Sequence, residues 1–168
     1  MFSMLKQSYF DLSIFNGLNQ SELRLINPLL ELCVYEKDVK IFDQGQLASF
    51  LFILFKGEVL VRFKPYDGPE LTVARILAGG VFGWSAAMGH SSYTSSAVAS
   101  QDCKVVRLRG DRLHQLCEDH PEIGLVILER LAGVIAERLH STYNQILTIL
   151  TNGMDLNDEY RRRLIKNE

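Results

Sequence analysis

Apolar positions change period twice along the chain. After Asn19, the residues Leu23, Leu25, Ile26, Leu29, Leu30 and Leu32 recur at helical spacing. The short side chain of Asn19 suits a helix cap, and Glu22, three residues on, is placed to reach back and complete a capping box. This predicts a short helix near the N-terminus, interrupted or kinked at Pro28. From Val34 to Arg109 the texture becomes short β-branched and aromatic runs: Val39 to Phe42, Phe50 to Phe55, Val59 to Phe63, Leu71 to Leu77, Thr94 to Ala99 and Lys104 to Leu108. With Gly, Asp and Pro between them, these runs predict an antiparallel roll or sandwich of about eight short strands. In Phe50 to Phe55 almost every side chain is apolar, as expected of a strand covered on both faces. Pro65-Tyr66-Asp67-Gly68-Pro69 reads as a hairpin turn, because Asp-Gly tolerates the left-handed backbone such turns require.

After Arg109 the helical period returns. Asp111 to Glu118 predicts a short helix with Leu113, Leu116 and Cys117 inward, and Pro121 sits near the first position of a longer one, where its missing N–H is harmless. Leu128, Leu131, Ile135, Leu139, Thr142, Ile146 and Leu150 then step by three and four. Over about 30 residues, roughly 45 Å of helix, such a stripe outruns a small roll. It predicts a homodimer through this helix; packing back onto the roll and a different partner are the alternatives. Left bare, it would be an apolar patch that monomeric soluble proteins avoid. The organisation expected is an N-terminal segment at 1–14, a β-roll with short helices at 15–120, a dimerisation helix at 121–152 and a charged tail at 153–168.

Composition narrows the chemistry. The 168 residues are 47 % hydrophobic, enough to fill a core, and 18 Lys and Arg against 20 Asp and Glu leave a formal net charge of −2. That balance offers no broad field for a polyanion. Cys33, Cys103 and Cys117 are separated and odd in number, so neither a metal site nor a disulfide framework is expected, and no cofactor. Residues 1 to 9 lack the apolar run of a signal peptide, and the apolar stretch from Gly124 to Leu150 is broken by Glu129, Arg130, Glu137 and Arg138. The expectation is a cytoplasmic protein with no membrane span. His90, His114, His120 and His140 are too scattered to suggest a ligand set, and no nucleophile and base stand out, so no catalytic residues are assigned and no enzyme is expected.

The segment Leu77-Ala78-Gly79-Gly80-Val81-Phe82-Gly83-Trp84-Ser85-Ala86-Ala87-Met88-Gly89 is the densest in glycine. Such glycines let backbone approach a ligand, and a helical turn after Gly83 would aim free N–H groups at an anion. Hydroxyls crowd the following stretch, at Ser91, Ser92, Tyr93, Thr94, Ser95 and Ser96. Yet Ile76 to Cys103 holds no Arg or Lys, so an anion there would rest on backbone dipoles and hydroxyls. The candidate ligand residues are Gly83, Trp84, Ser85, Tyr93, Thr94 and Ser95.

Gly45, Phe50-Leu51-Phe52-Ile53-Leu54, Gly57-Glu58-Val59, the Gly79 to Gly83 corner, Ala97-Val98-Ala99 and the helix after Pro121 together resemble a cyclic nucleotide-binding domain of the bacterial catabolite activator and protein kinase regulatory-subunit type. The likeness runs from about Phe15 to Leu139. It implies a mainly β fold with flanking helices: an eight-stranded antiparallel β-roll, jelly-roll-like and cupin-like (a double-stranded β-helix), plus an N-terminal helix and a long C-terminal one. It also implies signal transduction in a bacterial cytoplasm.

Members of that family that bind cyclic nucleotide follow Phe-Gly with a Glu for the ribose hydroxyl and later present an Arg to the cyclic phosphate. Here Trp84 and Tyr93 stand in those places. A charge-assisted hydrogen bond contributes roughly 1.5 to 3 kcal/mol, so losing both anchors removes about two to four decades of affinity. Arg62, Lys64 and Arg75 read as solvent-facing strand residues rather than replacements. Trp84 either stacks on a ligand or fills the ligand's space; Tyr93 either donates to an acidic ligand or closes the site. The family's transcription factors carry a helix-turn-helix after the long helix, which the roughly fifteen residues after Gly153 cannot hold. The expected function is a stand-alone, non-enzymatic module, without a DNA-binding domain, that senses an unidentified small molecule. A ligand-free dimerisation or protein-interaction scaffold, and binding of cyclic AMP or cyclic GMP through replacement contacts, are the alternatives.

Overall fold

The computed structural model describes residues 12–137, 139 and 140, and divides the chain into two units, Met1–Ala132 and Gly133–Glu168. The first unit opens with a single 3-10 turn, Ser13–Phe15, and helix α1, Gln20–Ile26. The α1 cap forms as its sequence implies: the Asn19 side chain accepts from the backbone N–H of Ser21 and Glu22, while the Glu22 carboxylate accepts from the Asn19 N–H at 2.7 Å. The helix stops sooner than the run of leucines suggests. Pro28 sits in a 3-10 turn, Asn27–Leu29, and Leu30 and Leu32 belong to strand β1, Leu30–Tyr35. A ladder of six residue pairs with the last strand outweighs the helical spacing of those leucines.

Seven further strands follow: β2 Lys40–Phe42, β3 Phe50–Lys56, β4 Val59–Phe63, β5 Leu71–Ile76, β6 Val81–Phe82, β7 Ser96–Ala99 and β8 Cys103–Arg109. They do not close into the expected roll. They form two separate four-stranded antiparallel sheets, ordered β1-β8-β3-β6 and β2-β7-β4-β5. Closure into a roll would need the outer strands of one sheet to exchange hydrogen bonds with those of the other. Here β1 and β6 end one sheet and β2 and β5 the other, and loops rather than continuous strands turn the corners. β6, at two residues, is too short to bridge.

The sheets share one core. Phe52, Leu54, Cys103 and Val105 from the first meet Phe42, Val59, Val61, Ile76, Ala97 and Ala99 from the second, with Phe82 and Tyr93 among them. Because side chains alternate along a strand, Leu51 and Ile53 of β3 and Val106 and Leu108 of β8 face the other side of the first sheet; they are buried too. Helix α2, Gly110–Asp119, packs beside β8, and residues 121–132 are helical, burying Ile123, Ile127 and Leu131. In the second unit, residues 133–137, 139 and 140 are helical.

Candidate functional site

The glycine-rich corner is fixed to β3 before it turns. Gly79 N–H donates to the Leu54 carbonyl (2.7 Å), and the Leu54 N–H donates to the Gly80 carbonyl (2.9 Å). Two residues after Val81, Gly83 adopts φ +70°, and a Cβ there would lie 2.8 Å from Phe52 Cδ2 and 3.1 Å from the Phe50 carbonyl oxygen. Both the left-handed backbone and the tight approach require glycine. The 3-10 turn Trp84–Ala86 starts from this point. Ser85 is buried within it and Trp84 is half-buried.

Tyr93 occupies the interior of the corner. It is 3 % exposed, its ring stacks on Phe42 with centroids 3.8 Å apart, and Phe42 in turn stacks on Phe52 (5.4 Å) and Phe82 (6.1 Å). Its hydroxyl donates to the Phe50 carbonyl (2.8 Å) and accepts from the Phe50 N–H (3.0 Å). Burial pushes the phenol pKa up, which keeps it a neutral donor. The backbone around it is zipped as well. Gly45 N–H donates to the Tyr93 carbonyl (2.8 Å), Tyr93 N–H to the Gln46 carbonyl (2.9 Å) and Ala48 N–H to the Ser91 carbonyl (3.1 Å), with Leu47 and Ser92 bridged between. One residue past the loop, the Ser96 hydroxyl accepts from the Gln44 N–H (2.9 Å). Swinging Tyr93 out would break this ribbon along with the stack.

Of the six candidate ligand residues, Gly83 and Tyr93 converge on one surface, the rings of Phe42 and Phe52 and the Phe50 backbone. Ser85 and Trp84 stand in the adjoining turn, Ser95 is half-buried and Thr94 is exposed. The three cations weighed as replacements are engaged elsewhere: Arg62 with Glu70 (3.2 Å), Arg75 with Glu58 (3.2 Å), and Lys64 Nζ with the Gly68 carbonyl (2.8 Å). Sequence reasoning did not single out Arg107. Its guanidinium lies 4.2 Å from the centroid of the Phe50 ring and pairs with Glu31 at 2.7 Å, a neighbour only across the β1–β8 ladder. Nor did it single out Phe42 and Phe50 as the partners of Tyr93, because they lie about fifty and forty residues upstream with no local signal.

The stripe expected to form a dimer divides. Leu128 is 46 % exposed, but Leu131 is 2 % exposed, taken into the chain's own core with Ile123 and Ile127 at four-residue spacing, and Leu125 (70 %) faces outward instead. In the second unit Ile135 is half-buried and Leu139 is exposed; Thr142, Ile146 and Leu150 lie outside the described residues.

Residues 32–120 match the family model described as "Cyclic nucleotide-binding domain". Among known proteins, the chain is 26 % identical over 137 residues to a "CRP-like cAMP-activated global transcriptional regulator" of Mycobacterium tuberculosis, a match that covers 82 % of this chain and 59 % of that protein. It spans 52 to 59 % of the length of the first curated relatives it matches. Among solved structures, a putative cyclic nucleotide-binding protein from Geobacter metallireducens superposes with a TM-score of 0.69 at 27 % identity, covering 82 % of this chain and 97 % of that one. A cyclic nucleotide-binding domain from Methylobacillus flagellatus shares the fold with a TM-score of 0.75 at 23 % identity, covering 87 % and 82 %.

Proposed function

Because the chain belongs to the cyclic nucleotide-binding domain family, we propose that it is a regulatory module whose nucleotide corner is occupied by its own Tyr93, and that it works through pairing of its chains and contact with other proteins. It is a non-enzymatic module of that fold. The observation that carries the reading is Tyr93, buried, stacked on Phe42 and bonded to both backbone groups of Phe50, at the position from which the family's resemblance implies an arginine for the phosphate. A cyclic nucleotide would have to displace an aromatic ring and two hydrogen bonds before meeting a corner without a cation between Ile76 and Cys103. The pairing surface proposed is the outward line of Leu125 and Leu128, continued in the sequence by Ile135, Leu139, Thr142, Ile146 and Leu150. Each leucine withdrawn from water there contributes about 1.5 to 3 kcal/mol.

A second reading, sensing of a small molecule other than a cyclic nucleotide, draws on Trp84, which stays half-buried, and on the exposed Thr94. Calorimetric titration of the dialysed protein with cyclic AMP and cyclic GMP into the millimolar range tests the proposal. No saturable heat is expected. Saturable one-to-one binding of either nucleotide would overturn it, since it would require the corner to open.

A further inference from the structure

Four strands end the two sheets, and three of them are blunted against further pairing. β6 is two residues long, β2 is three residues long and carries Lys40 and a register shift against β7, and β5 pairs with β4 through a register shift. Short length, lysine and bulges are devices that keep a sheet edge from pairing with another chain. β1 has none of them. It runs for six residues, Leu30–Tyr35, in unbroken register with β8 and without proline.

Which of its backbone groups are open follows from the ladder. Phe50 spends its N–H and its carbonyl on the Tyr93 hydroxyl, away from β8, while the Ser49 carbonyl accepts from the Gly110 N–H on the β8 side (3.0 Å). Alternation then turns Leu51 toward Leu108 and Arg107 toward Glu31, so that Glu31, Cys33 and Tyr35 spend their backbone groups on β8. Leu32 and Val34 point theirs the other way, and none of the described residues bonds to them. Their side chains are apolar and exposed, 44 % and 66 %. Unpaired positive charge flanks this edge. Lys104 lies opposite Val34 in the β1–β8 ladder and opposite Lys56 in the β3–β8 ladder, and both lysines are exposed. Like charges directly opposite each other destabilise a sheet, yet among the described residues neither lysine forms an ion pair. Glu58 is taken by Arg75, and the Asp102 carboxylate accepts from the Lys37 N–H (2.9 Å).

We propose that β1 takes an extended segment of another protein as a fifth strand, antiparallel, with an apolar residue opposite Leu32 and an acidic one opposite Val34. Backbone bonds to Leu32 and Val34 hold the segment, and side chains choose it. Residues opposite each other share a face, so the apolar residue covers Leu32. Lys104 stands two strand spacings from the new strand, about 10 Å, which a lysine and a carboxylate side chain span together across Val34. A second copy of β1 answers the backbone but not the charge. The two-fold register that uses both open residues sets Leu32 against Val34 and brings no carboxylate to Lys104. The proposal rests on the reading that the chain works through contact with other proteins, and it supplies the surface and the chemistry of the partner.

The test is amide hydrogen exchange, followed residue by residue by NMR on the full chain, with an acetylated and amidated peptide as probe. In the peptide, threonine alternates with two aspartates and then two valines, so that antiparallel pairing sets the second aspartate opposite Val34 and the first valine opposite Leu32. In the free chain the Leu32 and Val34 amides are expected to exchange fast, and those of Glu31, Cys33 and Tyr35 slowly. Peptide at about ten times its Kd should slow Leu32 and Val34 about ten-fold, the fraction of edges left open. With lysine in place of both aspartates the peptide should bind about ten-fold more weakly, attraction being replaced by repulsion at two positions. A peptide N-methylated at the two residues that face Leu32 and Val34 should slow neither amide. Lys56→Glu with Lys104→Glu, at exposed positions, should make the lysine peptide the tighter one. No slowing at millimolar peptide, equal slowing by the N-methylated peptide, or equal affinity for the lysine peptide would each overturn the proposal. So would slow Leu32 and Val34 amides in the free chain: independent of protein concentration, they would mean that the chain covers its own edge, and dependent on it, that a second copy does. Cyclic AMP binding would overturn the filled corner and leave this edge untouched, whereas these exchange outcomes bear on the edge alone.

Discussion

Replacing Tyr93 in two steps separates its hydroxyl from its ring. In Tyr93→Phe the stack on Phe42 at 3.8 Å is kept, while the Phe50 carbonyl loses a donor and the Phe50 N–H an acceptor in a half-buried position. Leaving a buried polar group unpaired costs about 1–3 kcal/mol, and the partial exposure of Phe50 argues for the lower half of the range for the two together, ~2 kcal/mol. Tyr93→Ala removes a ring that is 3 % exposed and opens a void against Phe42, for which a large-to-small core change costs about 3–5 kcal/mol. Urea denaturation followed by circular dichroism measures both, the midpoint falling in order from parent to Phe to Ala at constant slope. A Tyr93→Ala variant within about 1 kcal/mol of the parent would refute the reasoning, because surface substitutions away from packed features fall in that small range and the ring would then not be filling the corner.

Alkaline pH should weaken the fold. Burial raises the phenol pKa values of Tyr93 and Tyr35 and the thiol pKa values of Cys103 and Cys117, so the folded chain holds protons that the unfolded chain releases first. The stability they confer is complete below the ordinary values, about 8.5 for thiols and about 10 for phenols, and is lost as pH rises from there through the raised values of the folded chain. Urea midpoints from pH 8 upward should therefore decline, less steeply in Tyr93→Phe; a flat profile would contradict the shifts. Gly83→Ala should destabilise by ~3 kcal/mol, from the left-handed backbone at φ +70° and from a Cβ 2.8 Å from the Phe52 ring, and a thermal melt matching the parent would show that the turn relaxes instead. Leu125→Glu with Leu128→Glu should convert a paired chain to single chains in light scattering while leaving circular dichroism unchanged; a parent that is already single would remove the pairing surface from the proposed function.

The chain's local chemistry is written in its sequence where a single segment decides the outcome. Asn19 and Glu22 cap α1 with each other, Gly83 turns the corner, and the apolar run of Phe50 to Phe55 is a strand buried on both faces, because each depends on residues a few positions apart. The family likeness, carried by short motifs in order, was legible for the same reason. Leu30 and Leu32 fitted a helical period equally well and became β1 only because β8, more than seventy residues later, offered a ladder. Val81–Phe82 is too short to show any period. Whether the strands close into a roll or stay as two sheets is settled by which outer strands find partners, and no period along one strand encodes that. Leu131 and Leu125 are equally apolar, yet the helix turns one into the core and the other out. At the corner, the sequence supplied a tyrosine in place of an arginine and left two roles open. Tertiary structure gave that side chain its partners, because an aromatic ring goes where it finds other rings and a buried hydroxyl goes where it finds both a donor and an acceptor. Phe42 and the Phe50 backbone provide these only once β2, β3 and the 91–95 loop have come together.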